Sequence, residues 1–289
     1  MSTVQAILSG ALIGGMFAVM AVGLSLTWGM LRIINLAHFG MILLGAYLTF
    51  QLATSWGIDP LLTVVVTVPL MFVLGALLQW AFDRFGVAEL NSLLVSFGIL
   101  IIVIQTVSNV WSADFQRMTG DVNPYATGSL SLGRLVFPAP TLLAFGTAVV
   151  LVGAAHVVLQ RTFAGRALRA FEQDRAVASA FGIDHRRLSM LLAGASGATA
   201  AVAGMLFALS NALTPSTPFE WFGIVFAVVI LGGIGQILGT LVAGVLVGTL
   251  SGLVSVLWSP SLAPFVLFSA IILALLFRPQ GLFTQGAAR

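Results

Sequence analysis

The chain has 289 residues, of which 59% are hydrophobic and only 7% charged, with a formal net charge of +3. Soluble domains carry about 25% charged residues, so this composition excludes a soluble protein and predicts an all-α polytopic membrane protein. Cysteine and lysine are both absent, which excludes disulfides, thiolate or Schiff-base chemistry and the lysine of a P-loop.

Apolar segments follow one another along the whole chain. A spanning helix needs about 20 mainly apolar residues, and by this measure the sequence predicts eight or nine transmembrane helices. The predicted spans are residues 6–28, 39–53, 60–82, 90–110, 140–159, 188–209, 237–257 and 264–277, with a short or broken helix near 221–236. Residues 1–289 are therefore expected to form a single transmembrane domain.

The loop at 161–187 fixes the expected topology, because it holds six of the twelve arginines. Arginine-rich loops between spans stay in the cytoplasm, so this loop and the C-terminus are predicted to be cytoplasmic and the N-terminus outside. Because Arg187 and Arg278 are then both cytoplasmic, the chain between them must cross the membrane an even number of times. The segment near 221–236 can supply the crossing that is needed if its helix starts near Thr217.

The same loop has an internal pattern of two short helices. One helical arc carries its apolar side chains, Ala167, Leu168, Phe171, Ala178 and Phe181. Asp174 falls on that apolar arc, so it is predicted to cap a second helix, Arg175 to Phe181, which Gly182 ends in a left-handed conformation. A solvated linker lying on lipid headgroups would give the same pattern, and periodicity alone does not separate the two interpretations.

Stripes of small residues predict close helix contacts. They are Gly244, Gly248 and Gly252; Ser196, Ala200 and Gly204; and Gly10, Gly14 and Ala18. Small residues four apart let helix backbones approach closely in lipid. Packing within the chain is the favoured interpretation over a subunit interface.

Glycines and polar residues inside apolar segments are candidates for a translocation path. Gly232, Gly233 and Gly235 break the helical pattern, either where a path crosses the membrane or in a turn at the cytoplasmic surface. Asn35 and His38 lie where two apolar runs meet and could face a path or the membrane interface.

Further polar candidates lie in the fourth predicted span. Asn91 is near its start, and Gln105 and Asn109 are four residues apart near its end. They either line a path or bond to neighbouring helices. The three histidines have no ligand spacing, so no metal site is expected.

Four stretches resemble the permeases of branched-chain amino acid ABC importers. They are RIINLAHFGMILLGAYL, RTFAGRALRAFEQDRAVASAFGIDHRRL, LGGIGQILGTLVAGVLVG and LFRPQGLF. Their order and spacing match along nearly the whole chain, and the length is similar to that of the smaller of the two permeases. Each stretch alone is weak evidence for this family, whereas the four stretches together are specific to it.

The resemblance implies a bacterial plasma-membrane importer whose other parts are separate chains. These would be a second permease, two ATP-binding subunits and an extracytoplasmic solute-binding protein. The loop would hold a coupling helix that seats in a groove of an ATP-binding subunit. The expected contact residues are Arg169, Glu172, Asp174, Arg175, Ala178, Phe181 and Gly182. No catalytic residue, cofactor or nucleic acid is expected on this chain, since ATP and magnesium would bind the partners.

Two departures from the family pattern leave the solute open. The segment from Asp83 to Asn91 is short and lacks basic residues beyond Arg84, and Phe39 is inserted between His38 and Gly40. Related permeases move urea, short amides or other small solutes. An ion-coupled carrier or channel is the alternative from another class, but charged residues are nearly absent from the predicted spans.

Overall fold

The structure, a computed structural model, describes residues 3–133 and 135–277. These residues form helices joined by mostly short turns. In chain order the helices are α1 (Thr3–Leu31), α2 (Ala37–Trp56), α3 (Val64–Phe85), α4 (Glu89–Trp111), α5 (Ala139–Arg161), α6 (Phe163–Gln173), α7 (Arg175–Ala180), α8 (His185–Ser210), α9 (Thr217–Gly232), α10 (Ile237–Leu257) and α11 (Ala263–Phe277). Strands β1 (Ser129–Leu132) and β2 (Leu135–Pro138) pair antiparallel before α5.

The helices confirm an all-α polytopic membrane protein. Within the described ranges, seven helices are long and apolar enough to cross a membrane, namely α1 to α5, α8 and α10. Two shorter apolar helices, α9 and α11, bring the possible crossings to nine. The short helix predicted near 221–236 is α9, which begins at Thr217 and is unbroken to Gly232.

Two opposite faces can be defined from the ends of these helices. The arginine face consists of Arg32, Arg84, the loop 161–187 and the turn 233–236. The hairpin face consists of residues 57–63, the loop 112–138 and the turn 211–216. Eight of the nine arginines in the described residues lie on the arginine face, and the ninth, Arg117, lies on the hairpin face.

Helix α9 runs from one face to the other. Before its start, Leu213 pairs through its backbone with Gln116 of the hairpin-face loop, at 3.0 and 2.7 Å. After its end, Gly235 packs against Gly29 near the arginine-face end of α1. Sixteen residues span about 24 Å, so α9 joins the two faces, and a membrane crossing by α9 stays a prediction from the charge distribution. Arg278 and Arg289, which were used to predict an even number of crossings, lie outside the described residues.

The hairpin-face loop is attached to the ends of three helices. The Tyr125 hydroxyl donates to the Asp59 carboxylate at 3.0 Å, and Asn123 Nδ2 donates to the Leu209 carbonyl at 3.0 Å. Gln5 exchanges side-chain hydrogen bonds with the backbone of Val136. Partial burial, and secondly the Asp59 carboxylate, raise the pKa of Tyr125, so its hydroxyl remains a donor at neutral pH.

Helices α1 and α10 touch through their backbones. A Cβ atom on Gly248 would lie 2.6 Å from Cα of Gly14, and one on Gly252 would lie 2.7 Å from the carbonyl oxygen of Ala6. A Cβ atom on Gly244 would lie 2.7 Å from the carbonyl oxygen of Gly14. Two glycine stripes therefore meet each other within the chain.

The third stripe places α8 against α2. Ala200 is fully buried, and Ser196 is 2% exposed. A Cβ atom on Gly204 would lie 2.6 Å from the backbone nitrogen of Ala46 in α2. All three stripes predicted from the sequence thus lie in contacts between helices of this chain.

We expect Gly248→Leu to abolish most of the folded protein. Overpacking a core typically costs about 1–3 kcal/mol. Here the added side chain meets backbone atoms, which cannot move aside as a flexible side chain could. Folded yield and thermal stability in detergent measure the effect. Gly146→Leu is the matched control, because a Cβ atom on this α5 glycine meets nothing within 4 Å. Equal yields for the two variants would contradict the close contact.

Candidate functional site

The loop 161–187 folds into two capped helices that lie on the arginine face. The Thr162 hydroxyl accepts from Gly165 N at 3.1 Å and caps α6. Asp174 Oδ1 accepts from Val177 N at 3.0 Å and caps α7. Gly182 follows α7 with φ +81°, a left-handed conformation that glycine adopts without strain. The capped second helix predicted from the sequence is confirmed, one residue shorter than expected.

Apolar side chains anchor both short helices to the membrane helices. Ala167, Leu168 and Phe171 are 6%, 6% and 2% exposed. They belong to a buried cluster that also includes residues of α1, α5, α8 and α10, among them Val22, Val152, Leu188 and Ile237. The loop is therefore packed onto the bundle and is not a free linker.

The prediction that Ala178 lies at the outer surface of this loop is wrong. The sequence placed Ala178 and Phe181 together at the outer surface, but Ala178 is 3% exposed and belongs to the buried cluster. Phe181 is 84% exposed and Val177 is 52% exposed. The break at Asp174 starts a new helix with its own direction, so the apolar arc of α6 does not continue through Phe181.

Arg169 ties α6 to the end of α5. Its Nη1 donates to the Leu159 carbonyl at 2.6 Å and to Gln160 Oε1 at 3.0 Å. Glu172 was expected to support the loop beside it, but the side chains of Glu172 and Arg175 lie outside what the structure describes.

Asp184, which the sequence analysis did not single out, starts α8. Its Oδ1 accepts from the backbone nitrogens of Arg186 and Arg187 at 3.0 and 3.3 Å. Its Oδ2 forms a salt bridge with Arg187 Nε at 3.1 Å. An aspartate just before an apolar helix is a recognisable N-cap signal, so the sequence did contain this information.

The glycine-rich stretch after α9 is a turn on the arginine face. Gly233 and Gly235 have φ of +86° and +81°, and Gly235 N donates to Ser25 Oγ at 3.2 Å. A Cβ atom on Gly232 would lie 2.7 Å from the Gly239 backbone. Of the two interpretations offered for these glycines, the geometry supports the surface turn and not a helix break inside the membrane.

The chain is also non-helical between α1 and α2, at residues 32–36, where it passes from the exposed Arg32 to the buried Asn35 and Leu36. Arg32 has φ +59°, and residues 33–36 carry no helical assignment. Leu36 N donates to Ser96 Oγ of α4 at 3.0 Å. Ser96 is seven residues into α4, about 10 Å along the helix axis, so the chain turns back into the bundle before α2 begins.

Asn35 and His38 make buried hydrogen bonds beside this break. Asn35 Oδ1 accepts from Ala37 N at 3.0 Å. His38 Nε2 donates to the Met20 carbonyl at 2.9 Å, and Ser196 Oγ donates to His38 Nδ1 at 3.2 Å. A carbonyl can only accept, so Nε2 carries the ring proton. Both residues are buried, His38 completely. Asn35 caps the start of α2, and His38 connects α2 to α1 and α8.

Phe39, the inserted residue, contributes an aromatic contact between α2 and α9. It is fully buried, and its ring lies 4.6 Å from that of Phe222 and 6.0 Å from that of Phe226. Trp28 of α1 meets the Phe226 ring edge-on at 5.9 Å.

The amide side chains of α4 lie on its outward side. Asn91, Gln105 and Asn109 are exposed, and Gln105 Nε2 donates to Asn109 Oδ1 at 3.2 Å. They are not brought together with Asn35, His38 or the glycine turn. The candidate path residues therefore separate into an internal hydrogen-bond group, a surface turn and one outward-facing helix surface.

Comparison with known proteins identifies the family. The family described as branched-chain amino acid transport system / permease component matches residues 6–276. No solved structure matches the chain.

Relatives named as permeases are similar over most of their length. The high-affinity branched-chain amino acid transport system permease protein BraD of Pseudomonas aeruginosa is 25% identical, covering 96% of this chain and 94% of that protein. The permease protein LivH of Escherichia coli K12 is 26% identical with the same coverage. A probable LivH of Methanocaldococcus jannaschii is 26% identical over 86% of this chain and 80% of that protein. With its helices confirming a multi-pass membrane protein, the chain belongs to the family of branched-chain amino acid transport permease components.

Proposed function

We propose that this chain is a permease subunit of an ATP-binding-cassette importer and that it forms part of the path for branched-chain or closely related amino acids. The names of the relatives, which cover nearly all of this chain, support the solute class. The whole chain would act as one transmembrane domain, without catalytic residues of its own.

The exposed tip of α7 carries the proposal. Phe181 and Val177 present apolar surface at 84% and 52% exposure on a helix whose other side is buried. Removing such surface from water stabilises a complex, so α7 is suited to a groove on a soluble partner. The chain lacks the lysine that a P-loop requires, so ATP and magnesium would bind two separate ATP-binding subunits.

Movement of α7 would be passed directly to the membrane helices. Ala178 lies in the same buried cluster as side chains of α1 and α8, and Arg169 bonds the Leu159 carbonyl and the Gln160 side chain near the end of α5. Packed interiors transmit displacement because they contain little free volume. Docking at Phe181 could thus shift several spans together.

The outward side of α4 is the part of this chain best suited to face the path. Gln105 and Asn109 are exposed amides on a spanning helix, and polar groups in a span usually face a cavity or another helix. Asn35 and His38 are already engaged inside the chain. We therefore assign Gln105, with Asn91 nearer the arginine face, to the surface shared with a second permease.

The arginine distribution supports an orientation for the chain. Its eight arginines would put the arginine face in the cytoplasm and the hairpin face outside. The N-terminus then begins outside, and the chain after α11 is cytoplasmic. An extracytoplasmic solute-binding protein would meet the hairpin face.

Phe181→Asp should detach or uncouple the ATP-binding subunits while leaving the membrane domain folded. Losing one buried aromatic contact costs about 2 kcal/mol, or roughly thirtyfold in affinity, and the new carboxylate adds a desolvation cost. Co-purification of the ATP-binding subunits and solute uptake into proteoliposomes measure both effects.

Phe115→Asp is the matched control, because Phe115 is 81% exposed but lies on the hairpin face. It should leave recovery of the ATP-binding subunits unchanged. Wild-type recovery and uptake with Phe181→Asp would overturn the proposed role of α7.

Single cysteines at Ala126 and Ala180 should be labelled from opposite sides of the membrane. Both positions are exposed, one on the hairpin face and the other in α7, and the chain contains no cysteine of its own. Labelling with an impermeant maleimide, in intact cells and in inverted vesicles, measures the orientation. Labelling of both from one side would contradict the crossing by α5 and, with it, the proposed orientation.

A further inference from the structure

A polar cavity of about 140 Å³ opens on the arginine face between α5, α6 and α10. One water needs about 10–15 Å³, so the cavity has room for a tetrahedral anion. Its lining comes from the ends of separate elements: Met30, His156, Leu159, Gln160, Arg169, Gly235, Gln236, Ile237 and Leu238.

The cavity presents hydrogen-bond donors and no carboxylate. Arg169 uses only Nη1 within the chain, so among the described residues its Nε and Nη2 groups have no partner. The His156 ring likewise has no hydrogen-bond partner in the described ranges and is half-buried. Gln160 and Gln236 add side-chain amides at the rim. A guanidinium with free donors beside an imidazole and amides favours a phosphate group.

The surroundings of the cavity expose apolar side chains. Leu238, which lines it, is 47% exposed, and Val157 and Val242 on the same two spanning helices are 53% and 41% exposed. Apolar side chains thus continue from the polar cavity along the membrane-facing surface. Basic pockets between spanning helices at the cytoplasmic side are suited to anionic headgroups.

We propose that this cavity binds the phosphate of an anionic phospholipid, with Arg169 as the main ligand and His156 as the second. A free phosphate has the same chemistry and is the other possible source. Because Arg169 belongs to α6 and Gln236 to the turn before α10, the bound phosphate would join the loop 161–187 to α10. The inference does not depend on which solute is transported.

Arg169→Gln should lower retention of phosphatidylglycerol by about tenfold, the range expected for loss of a charge-assisted hydrogen bond. The assay is native mass spectrometry of the purified importer after exchange into mixed phosphatidylglycerol and phosphatidylcholine nanodiscs. Arg166→Gln is the matched control, since Arg166 is exposed on the same helix and does not line the cavity. His156→Leu should also weaken retention, and no internal hydrogen bond is lost with it.

A second arm separates the two sources of phosphate. In nanodiscs of phosphatidylcholine alone, stabilisation by inorganic phosphate that disappears in Arg169→Gln would assign the cavity to free phosphate. Selective loss of phosphatidylglycerol without such stabilisation would assign it to lipid. Equal effects of Arg169→Gln and Arg166→Gln on phosphatidylglycerol retention would overturn the proposal. So would an Arg169→Gln importer that loses its ATP-binding subunits but still binds phosphatidylglycerol and inorganic phosphate, because Arg169 would then act on the partner and not on a phosphate.

Discussion

Backbone contact between α1 and α10 is the interaction on which the rest of the bundle depends. In lipid, apolar side chains gain little by meeting each other, so helices associate by close packing over small residues. Gly14 and Gly248 provide that contact. With α1 held in this way, its Met20 carbonyl is available to His38 and its Ser25 hydroxyl to the turn before α10.

The break at residues 32–36 shows how non-helical backbone groups are satisfied inside the bundle. Unpaired backbone groups are costly there, and Ser96 and Asn35 supply partners to Leu36 N and Ala37 N. This hydrogen bonding sets where α2 begins. It also explains why Asn35 and His38 serve the fold, leaving the exposed amides of α4 as the polar surface for the proposed path.

The arginine face combines attachment with an exposed apolar tip. Phe171 and Ala178 anchor the loop while Phe181 remains in solvent, which is the arrangement that the proposed docking of a partner needs. The cavity beside Arg169 adds a polar contact between this segment and the start of α10. We therefore expect the proposed coupling to the ATP-binding subunits and the proposed lipid binding to take place in the same part of the arginine face.

The sequence by itself determined the spans, the glycine stripes and the Asp174-capped helix, because these follow from hydrophobic length, residue spacing and local backbone rules. Only the tertiary structure decided that Ala178 is buried, since the direction of a short helix depends on what it packs against. It also decided the role of His38, whose partners Met20 and Ser196 are 18 and 158 residues away along the chain. Contacts at such separations leave no local pattern, so they arise only when the helices pack.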